Sequence, residues 1–220
     1  MSKYKIDNSS FRDPSGFIFY DEEKLYRQIN ISYKDNFKHF LNSGLYEKLV
    51  SENLLIPHKE VNVDSILPEK LFKIIEPQLI PLISYPYEWS FSQLKFAALT
   101  TLKVQKIALE FGMTLKDASA YNIQFLNSQP IFIDTLSFEK YPEGEGWKAY
   151  KQFCQHFLGP LALMGHTDVS LNKLSQIFID GIPVDLTSKL LPFKTHFMFS
   201  LFSHIHLHGK SQKHYEKKEI

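Results

Sequence analysis

Three polar side chains, Asp117, Asn122 and Asp134, carry the most distinctive chemistry of this 220-residue chain. Asp117 and Asn122 lie five residues apart, directly before an apolar segment, and a second apolar segment ends at Asp134. In phosphoryl transfer, one carboxylate accepts the proton of the attacking hydroxyl, whereas an amide oxygen and a second carboxylate bind Mg²⁺. The spacing therefore predicts Asp117 as a catalytic base and Asn122 and Asp134 as magnesium ligands.

A predicted β-hairpin brings these three residues together. Residues 123–133 hold two short apolar runs separated by a turn, which is typical of two antiparallel strands. Such a hairpin returns Asp134 to the loop that carries Asp117 and Asn122. A structural alternative stays open, because Asp and Asn are also frequent in turns and helix caps.

A long helix is predicted before this loop. Ser90, with Gln93 three residues later, matches a capping box, which satisfies backbone donors at a helix N-terminus. Gly112 is a natural C-terminal stop for the same helix. Beyond the hairpin, the spacing of apolar residues predicts helices at 147–164, 171–179 and 192–208.

The first part of the chain is predicted to form a small sheet with one helix. Aromatic runs within 16–29, joined by a charged turn, predict a β-hairpin. Apolar residues at helical spacing predict one amphipathic helix through 33–50, with Gly44 inside it. Further strands are predicted at 54–58, 71–75 and 79–85.

Together these elements predict an α+β fold with two lobes. Residues 1–84 form a small lobe that contains the sheet, and residues 85–220 form a mostly helical lobe that contains the predicted magnesium site. The pattern changes from strands to helices at Tyr85, where an aromatic segment begins.

The composition bears on the kinds of partner and on the cellular compartment of the protein. The chain is 44% hydrophobic and 22% charged with a formal net charge of +1, which gives no argument for nucleic acid or an anionic membrane as partner. Its one cysteine, Cys154, rules out an internal disulfide and fits a reducing compartment. Residues after Met1 do not form a signal peptide, and no apolar run approaches the ~20 residues that span a bilayer. These features predict a cytoplasmic protein.

The segment from Asp117 to Asp134, with the long helix before it, resembles the catalytic loop and metal-binding Asp of the protein-kinase-like fold. It is more similar to small-molecule kinases, such as the aminoglycoside phosphotransferases, than to protein kinases. The resemblance implies that ATP and Mg²⁺ are bound and that a small molecule is phosphorylated. It also implies Asp117 as base, Asn122 and Asp134 as metal ligands, and residues 85–89 as the hinge between lobes.

The chain departs from this family in the parts that hold nucleotide phosphates. It has no glycine-rich loop, since Gly16 stands alone near the first hairpin, and it lacks the family's strand lysine motif. Arg27 is the best substitute for that lysine, with Lys59 next, and Glu88 in the hinge segment is a third candidate for cofactor binding. A scaffold that has lost its chemistry would explain the absent loop equally well.

A second resemblance extends through nearly the whole chain. Four blocks are similar to a region of bacterial nodulation-protein-like polypeptides: 55–58, 84–89, 115–122 and 132–139. In that family the region precedes a class I S-adenosylmethionine-dependent methyltransferase domain. The glycines of 144–146 follow a proline-containing loop and not a strand, so they do not match that domain's cofactor motif. The resemblance implies that any such domain, with S-adenosylmethionine as its cofactor, lies beyond residue 220.

Two features near the C-terminus have alternative interpretations. His204, His206 and His208 suggest a metal site, but helical spacing puts only two of them on one face. A stripe of apolar residues is either core or a docking surface for another domain; its members are Phe193, Phe197, Leu201 and Ile205.

Two functions therefore stay open. One is a kinase-like domain, active or degenerate, that binds ATP and Mg²⁺ and phosphorylates a small molecule. The other is a non-catalytic accessory module that interacts with an adjoining methyltransferase domain.

Overall fold

An antiparallel five-stranded sheet opens the fold in the computed structural model, which describes residues 4–7 and 13–210. Its strands are β1 (Tyr4–Ile6), β2 (Gly16–Asp21), β3 (Lys24–Asn30), β4 (His58–Val61) and β5 (Leu71–Pro77), in the spatial order β1-β2-β3-β5-β4. The pairing of β2 with β3 confirms the predicted first hairpin, and β5 confirms the strand predicted at 71–75.

The two faces of this sheet belong to different cores. Phe19 and Tyr26, which are paired across β2 and β3, pack in a small core on one face. Ile29 and Ile75 belong to the large core, which the other face shares with the helices. Side chains alternate along a strand, so Arg27 of β3 lies on the same face as Ile29.

The helix predicted over 33–50 is wrong in one respect, because it is two helices. These are α1 (Lys34–Asn42) and α2 (Leu45–Ser51), with Gly44 between them at φ +86°. This left-handed conformation suits glycine and cannot continue a helix. The apolar spacing nevertheless buries Phe37 and Phe40 of α1 against the large core, as an amphipathic helix should.

Two other strand predictions are wrong or only partly right. In 54–58, Leu55 makes a single bridge to Phe132, and β4 begins only at His58. Residues 79–85 form an irregular linker in which Leu82 is 77% exposed. Pro81 of this linker has no backbone N–H to donate to a neighbouring strand.

The longest helix is α3 (Phe91–Glu110), and its N-terminus confirms the predicted capping box. The side chain of Ser90 accepts a hydrogen bond from the Gln93 N–H, and Gln93 accepts one from the Ser90 N–H. Gly112 follows its end at φ +68°. The buried positions of α3 include Leu94, Ala97, Thr101, Val104 and Ala108.

Two small antiparallel sheets follow α3. Strand β6 (Met113–Leu115) pairs with β9 (Phe138–Lys140), and β7 (Ile123–Leu126) pairs with β8 (Gln129–Phe132). The β7–β8 pair confirms the predicted hairpin over 123–133. Its two-residue turn, 127–128, has positive φ at both positions, which gives the twist of a tight hairpin.

The rest of the chain is mostly helical. Its α-helices are α4 (Tyr150–Phe153), α5 (Gly159–His166), α6 (Leu174–Ile177), α7 (Val184–Leu190) and α8 (Phe199–Leu201). Wider helical turns join α4 to α5 and extend α8, at Cys154–Leu158 and Phe202–Leu207. The helix predicted at 192–208 is broken at Met198, whose ψ of 107° is extended, and α7 was not predicted.

The architecture is thus a mixed α+β fold with an antiparallel sheet and several helices, as the sequence predicted. The large core contains side chains of the first sheet, of α1 and of the later hairpin. The lobe boundary at 84/85 stays a prediction. Among residues 4–7 and 13–210, no helix combines the length and apolar character that a membrane span requires.

Candidate active site

Backbone pairing around β6 and β9 assembles the candidate site. The Lys116 N–H donates to the Ser137 carbonyl at 2.8 Å, which extends the β6–β9 ladder by one bond. The Ile133 N–H donates to the Asn122 carbonyl, also at 2.8 Å. The two loops that carry Asp117 and Asp134 are therefore held side by side, as the predicted hairpin between them implies.

Asp134 is a largely buried carboxylate with three donors around it. Arg27 of β3 forms an ion pair with its Oδ1, the Leu136 N–H donates to Oδ1 at 3.1 Å, and the Ser137 hydroxyl donates to Oδ2. Burial raises the pKa of Asp134, but the Arg27 charge and these hydrogen bonds outweigh it, so the pKa lies below its usual value. Asp134 is therefore ionised at neutral pH.

Asp117 has a different environment, although it lies in the same cluster. Its Oδ1 accepts the Ser119 N–H at 2.8 Å, and the Gln152 and Asn122 side chains lie near enough to its carboxylate to lower its pKa. Burial raises the pKa of Asp117, and the nearby negative charge of Asp134 raises it further. The Ser119 hydrogen bond and the two nearby amides only partly offset these effects, so the pKa lies above the usual value.

Asn122 is linked to Asp134 through Ser137. The Asn122 Nδ2 donates to the Ser137 hydroxyl at 3.1 Å, and that hydroxyl in turn donates to Asp134. This network orients the Asn122 amide and leaves its oxygen to accept other partners. Ser137 is a site residue that the spacing of Asp117, Asn122 and Asp134 does not predict; its hydroxyl, three residues after Asp134, is the available signal.

Arg27 is the one cofactor-binding candidate that the structure brings to this cluster. Its side chain is 11% exposed, and besides the pair with Asp134 it lies 3.8 Å from the Asp13 carboxylate. The Arg27 Nε is buried and has no hydrogen-bond acceptor among the described residues. A buried donor without a partner is rare, because it loses its hydrogen bond to water.

Lys59 and Glu88 are not part of this cluster. Lys59 is 69% exposed and pairs with Glu76 at 3.3 Å. Its neighbour Glu60 lies opposite Ile75, which lies opposite Arg27, so Lys59 points to the other face of the sheet.

Glu88 caps a helical turn, because its carboxylate accepts the Tyr85 N–H at 2.7 Å. Cofactor binding by Lys59 or Glu88 stays a prediction.

A group of tyrosines adjoins the loop that carries Asn122. Tyr85 and Tyr87 stack with ring centroids 5.5 Å apart and planes 6° apart. Tyr121, directly before Asn122, has a raised pKa because it is partly buried and because Tyr87, Asp180 and Tyr85 lie near it. These rings form a surface on which a flat or apolar ligand face could pack.

The C-terminal histidines do not converge on one point. His206 is buried and hydrogen-bonds through both ring nitrogens, to Ser188 and Thr195. His204 hydrogen-bonds instead to the Tyr150 hydroxyl at 2.6 Å. Across the described part of the chain, no three His, Cys, Asp or Glu side chains group as metal ligands. Burial and a neighbouring His196 lower the pKa of His206, which favours its neutral form.

Comparison with known proteins shows an extensive sequence similarity. No protein-family model matches this chain. The chain is 36% identical over 205 residues to "Nodulation protein NoeA" of Rhizobium meliloti (strain 1021), a match that covers 92% of this chain and 43% of that protein. The chain thus spans less than half the length of this relative. The similarity agrees with the sequence resemblance to nodulation proteins, whereas the methyltransferase link stays a prediction.

Among solved structures, a similar chain is that of vaccinia related kinase 3. The match has a TM-score of 0.39 at 14% sequence identity and covers 63% of this chain and 48% of the kinase chain.

Proposed function

We infer that this chain is a kinase-like phosphotransferase domain that binds Mg²⁺ and ATP and transfers a phosphoryl group to a small-molecule hydroxyl. One observation carries the proposal: the Ser137 hydroxyl joins Asn122 to Asp134, Asp134 pairs with Arg27, and Asp117 lies near enough to Asn122 and Asp134 for both to shift its pKa. Phosphoryl transfer depends mainly on positioning and charge compensation, which such a cluster can supply.

The donor set suits magnesium. Mg²⁺ prefers oxygen ligands, and it is usually held by one or two carboxylates with water and phosphate oxygens. Asp134 accepts three described hydrogen bonds or ion-pair contacts, whereas a carboxylate offers about four acceptor positions, so Oδ2 can still accept a cation. Together with the Asn122 amide oxygen, it would hold the ion. Bound Mg²⁺ would neutralise charge on the phosphates.

Asp117 would act on the acceptor. Its carboxylate would orient the acceptor hydroxyl and take its proton as that oxygen bonds to the terminal phosphorus of ATP. The bond from phosphorus to the bridging oxygen would break, and ADP would leave. A raised pKa makes Asp117 a better proton acceptor than an ordinary aspartate at neutral pH. Arg27 of β3 would lie on the other side of the phosphates from Asp117 and offset part of their negative charge.

Thermal unfolding with and without Mg²⁺ and ATP tests the proposal. Binding to the folded state raises Tm by mass action, so we expect a rise for the wild type at millimolar Mg·ATP. Asn122→Ala, which leaves the Arg27–Asp134 pair in place, should lose most of the rise, and Asp134→Asn should lose it too. Asp168→Asn is the matched control, because that carboxylate is exposed and caps a short helical turn. An equal rise in all four proteins would contradict the proposal.

A second candidate function is an accessory module within a longer protein. Three aromatic side chains favour it by their exposure: Phe193 at 73%, Phe197 at 80% and Phe199 at 84%. Exposed aromatic groups of this kind are typical of interaction surfaces. This module would bind an adjoining domain, with a methyltransferase as the sequence-based expectation. The nucleotide concentration would be raised in 10-fold steps to its solubility limit. A Tm that stays constant over this range would favour the accessory module over the phosphotransferase.

A further inference from the structure

A short segment, Asp13–Gly16, lies against the candidate site from the side of the first sheet. The Ser15 N–H donates to Asp13 Oδ1 at 2.8 Å, which closes a local turn. The Ser15 carbonyl accepts the Asn30 N–H at 2.8 Å. Gly16 packs so closely on β3 that an added Cβ would lie 2.1 Å from the Gln28 carbonyl oxygen. The segment therefore has a defined position.

The Asp13 carboxylate lies between two cations without a hydrogen bond to either. Its Oδ2 is 3.8 Å from an Arg27 terminal nitrogen, and its Oδ1 is 3.9 Å from the Lys116 Nζ. Both distances exceed the range of a hydrogen bond, so the contacts are electrostatic only. Lys116 is held by the Ser15 hydroxyl at 2.7 Å and by the face of the Tyr33 ring, 5.0 Å away.

Arg27 and Lys116 have more hydrogen-bond donors than Asp13 uses. Arg27 also pairs with Asp134, but its buried Nε has no acceptor among the described residues, and Lys116 can donate two more hydrogen bonds. A phosphate group has more oxygens and more negative charge than a carboxylate, and guanidinium and ammonium groups bind it strongly. Lys116 directly precedes Asp117, so such a group would lie next to the proposed base.

We propose that Arg27 and Lys116 form a binding site for the oligophosphate part of a nucleotide, and that Asp13 fills this site in the ligand-free protein. The site deepens the proposed function and rests on it for the identity of the ligand. Asp13 would have to leave the two cations when phosphate binds, because carboxylate and phosphate repel each other.

Binding of inorganic tripolyphosphate without Mg²⁺ isolates the anion site. Isothermal titration calorimetry would compare the wild type with Asp13→Asn, whose amide oxygen can still accept the Ser15 N–H. Removing one negative charge about 4 Å from phosphate should tighten binding about 10-fold. Lys116→Gln should weaken it by about the same factor. Asp168→Asn and Lys103→Gln are matched controls, since Lys103 pairs with Glu52 on the exposed face of α3.

The outcomes separate this site from the proposed function. Unchanged or weaker tripolyphosphate binding by Asp13→Asn overturns the proposal, as does unchanged binding by Lys116→Gln or no binding by folded wild-type protein. Near-ultraviolet circular dichroism of each variant confirms that it is folded. Repeating the titrations with ATP distinguishes a nucleotide site from a general polyphosphate site. If the variants bind tripolyphosphate as expected but Asn122→Ala does not alter Mg·ATP binding, the proposed phosphotransferase function is contradicted and the anion site is supported.

Discussion

Asp117 and Asp134 lie in one cluster, yet their pKa values shift in opposite directions. Burial raises both, but only Asp134 has an adjacent cation, Arg27, that reverses the shift. Two carboxylates whose environments move their pKa values apart can serve different roles in one site. The lower pKa suits a permanent metal ligand, and the higher pKa suits a proton acceptor.

Asp117→Asn should separate catalysis from binding. The amide keeps the acceptor for the Ser119 N–H but cannot take a proton at neutral pH. We expect Mg·ATP affinity within about 2-fold of the wild type and a phosphoryl-transfer rate lower by at least about 100-fold. ADP release measured against a panel of small hydroxylated acceptors checks this, with Asp168→Asn as control. A rate equal to that of the wild type would rule out Asp117 as the base.

His58 should make stability depend on pH. It is largely buried beside the Tyr46 and Phe37 rings, and burial lowers its pKa to about 4. In the unfolded chain the pKa of His58 is near 6.5, so between pH 6.5 and pH 4 the unfolded state binds a proton at His58 that the folded state does not bind. Stability therefore falls as pH decreases from 6.5 toward 4. The loss should be about 2 kcal/mol at pH 5.

His58→Phe keeps a ring at this position and removes its titration. Urea unfolding between pH 7 and pH 5 should show a smaller loss of stability for this variant than for the wild type. Burial also lowers the pKa of His156 to about 4, so part of the dependence should persist. Identical losses in both proteins would contradict the assignment to His58.

At the scale of elements, Gly44 decides that α1 and α2 are separate. Its φ of +86° costs a residue with a Cβ about 1–2 kcal/mol. Gly44→Ala should therefore lower the free energy of unfolding by that amount in urea titrations. Gly146→Ala is the control, because Gly146 has open space around its Cβ position and no positive φ. Equal stability of the two variants would mean that the turn at Gly44 relaxes without strain.

At the scale of the whole molecule, Arg27 joins the first sheet to the later hairpin. Its partner Asp134 is buried, so Arg27→Met leaves the Asp134 charge uncompensated. We expect the free energy of unfolding to fall by about 3–5 kcal/mol. Adding Asp134→Asn removes that charge and should recover much of the loss. A double-mutant cycle in urea measures this coupling. Additive effects would show that the pair does not hold the two parts together.

Helices and hairpins could be predicted where the residues that specify them lie close together in sequence. The capping box at Ser90, the hairpin within 16–29 and the hairpin over 123–133 each depend on residues close together in sequence. The linker at 79–85 was mistaken for a strand, because an apolar run does not reveal whether a neighbouring strand is available to pair with it.

The candidate site was predicted only in part. Spacing alone placed Asp117, Asn122 and Asp134 together, because the hairpin between them is short. Spacing could not reveal that Ser137 bridges two of them, since that contact depends on the pairing of β6 with β9.

The sequence by itself determined the capped start of α3, the hairpins over 16–29 and 123–133 and the three polar residues of the candidate site, because capping and hairpin turns act over a few residues. Only the tertiary structure decided which cation reaches Asp134 and that Asp13 lies between Arg27 and Lys116. Charges distant in sequence meet through strand pairing and packing, and neither hydrophobic periodicity nor residue spacing encodes that meeting. The opposite pKa shifts of the two carboxylates follow from it.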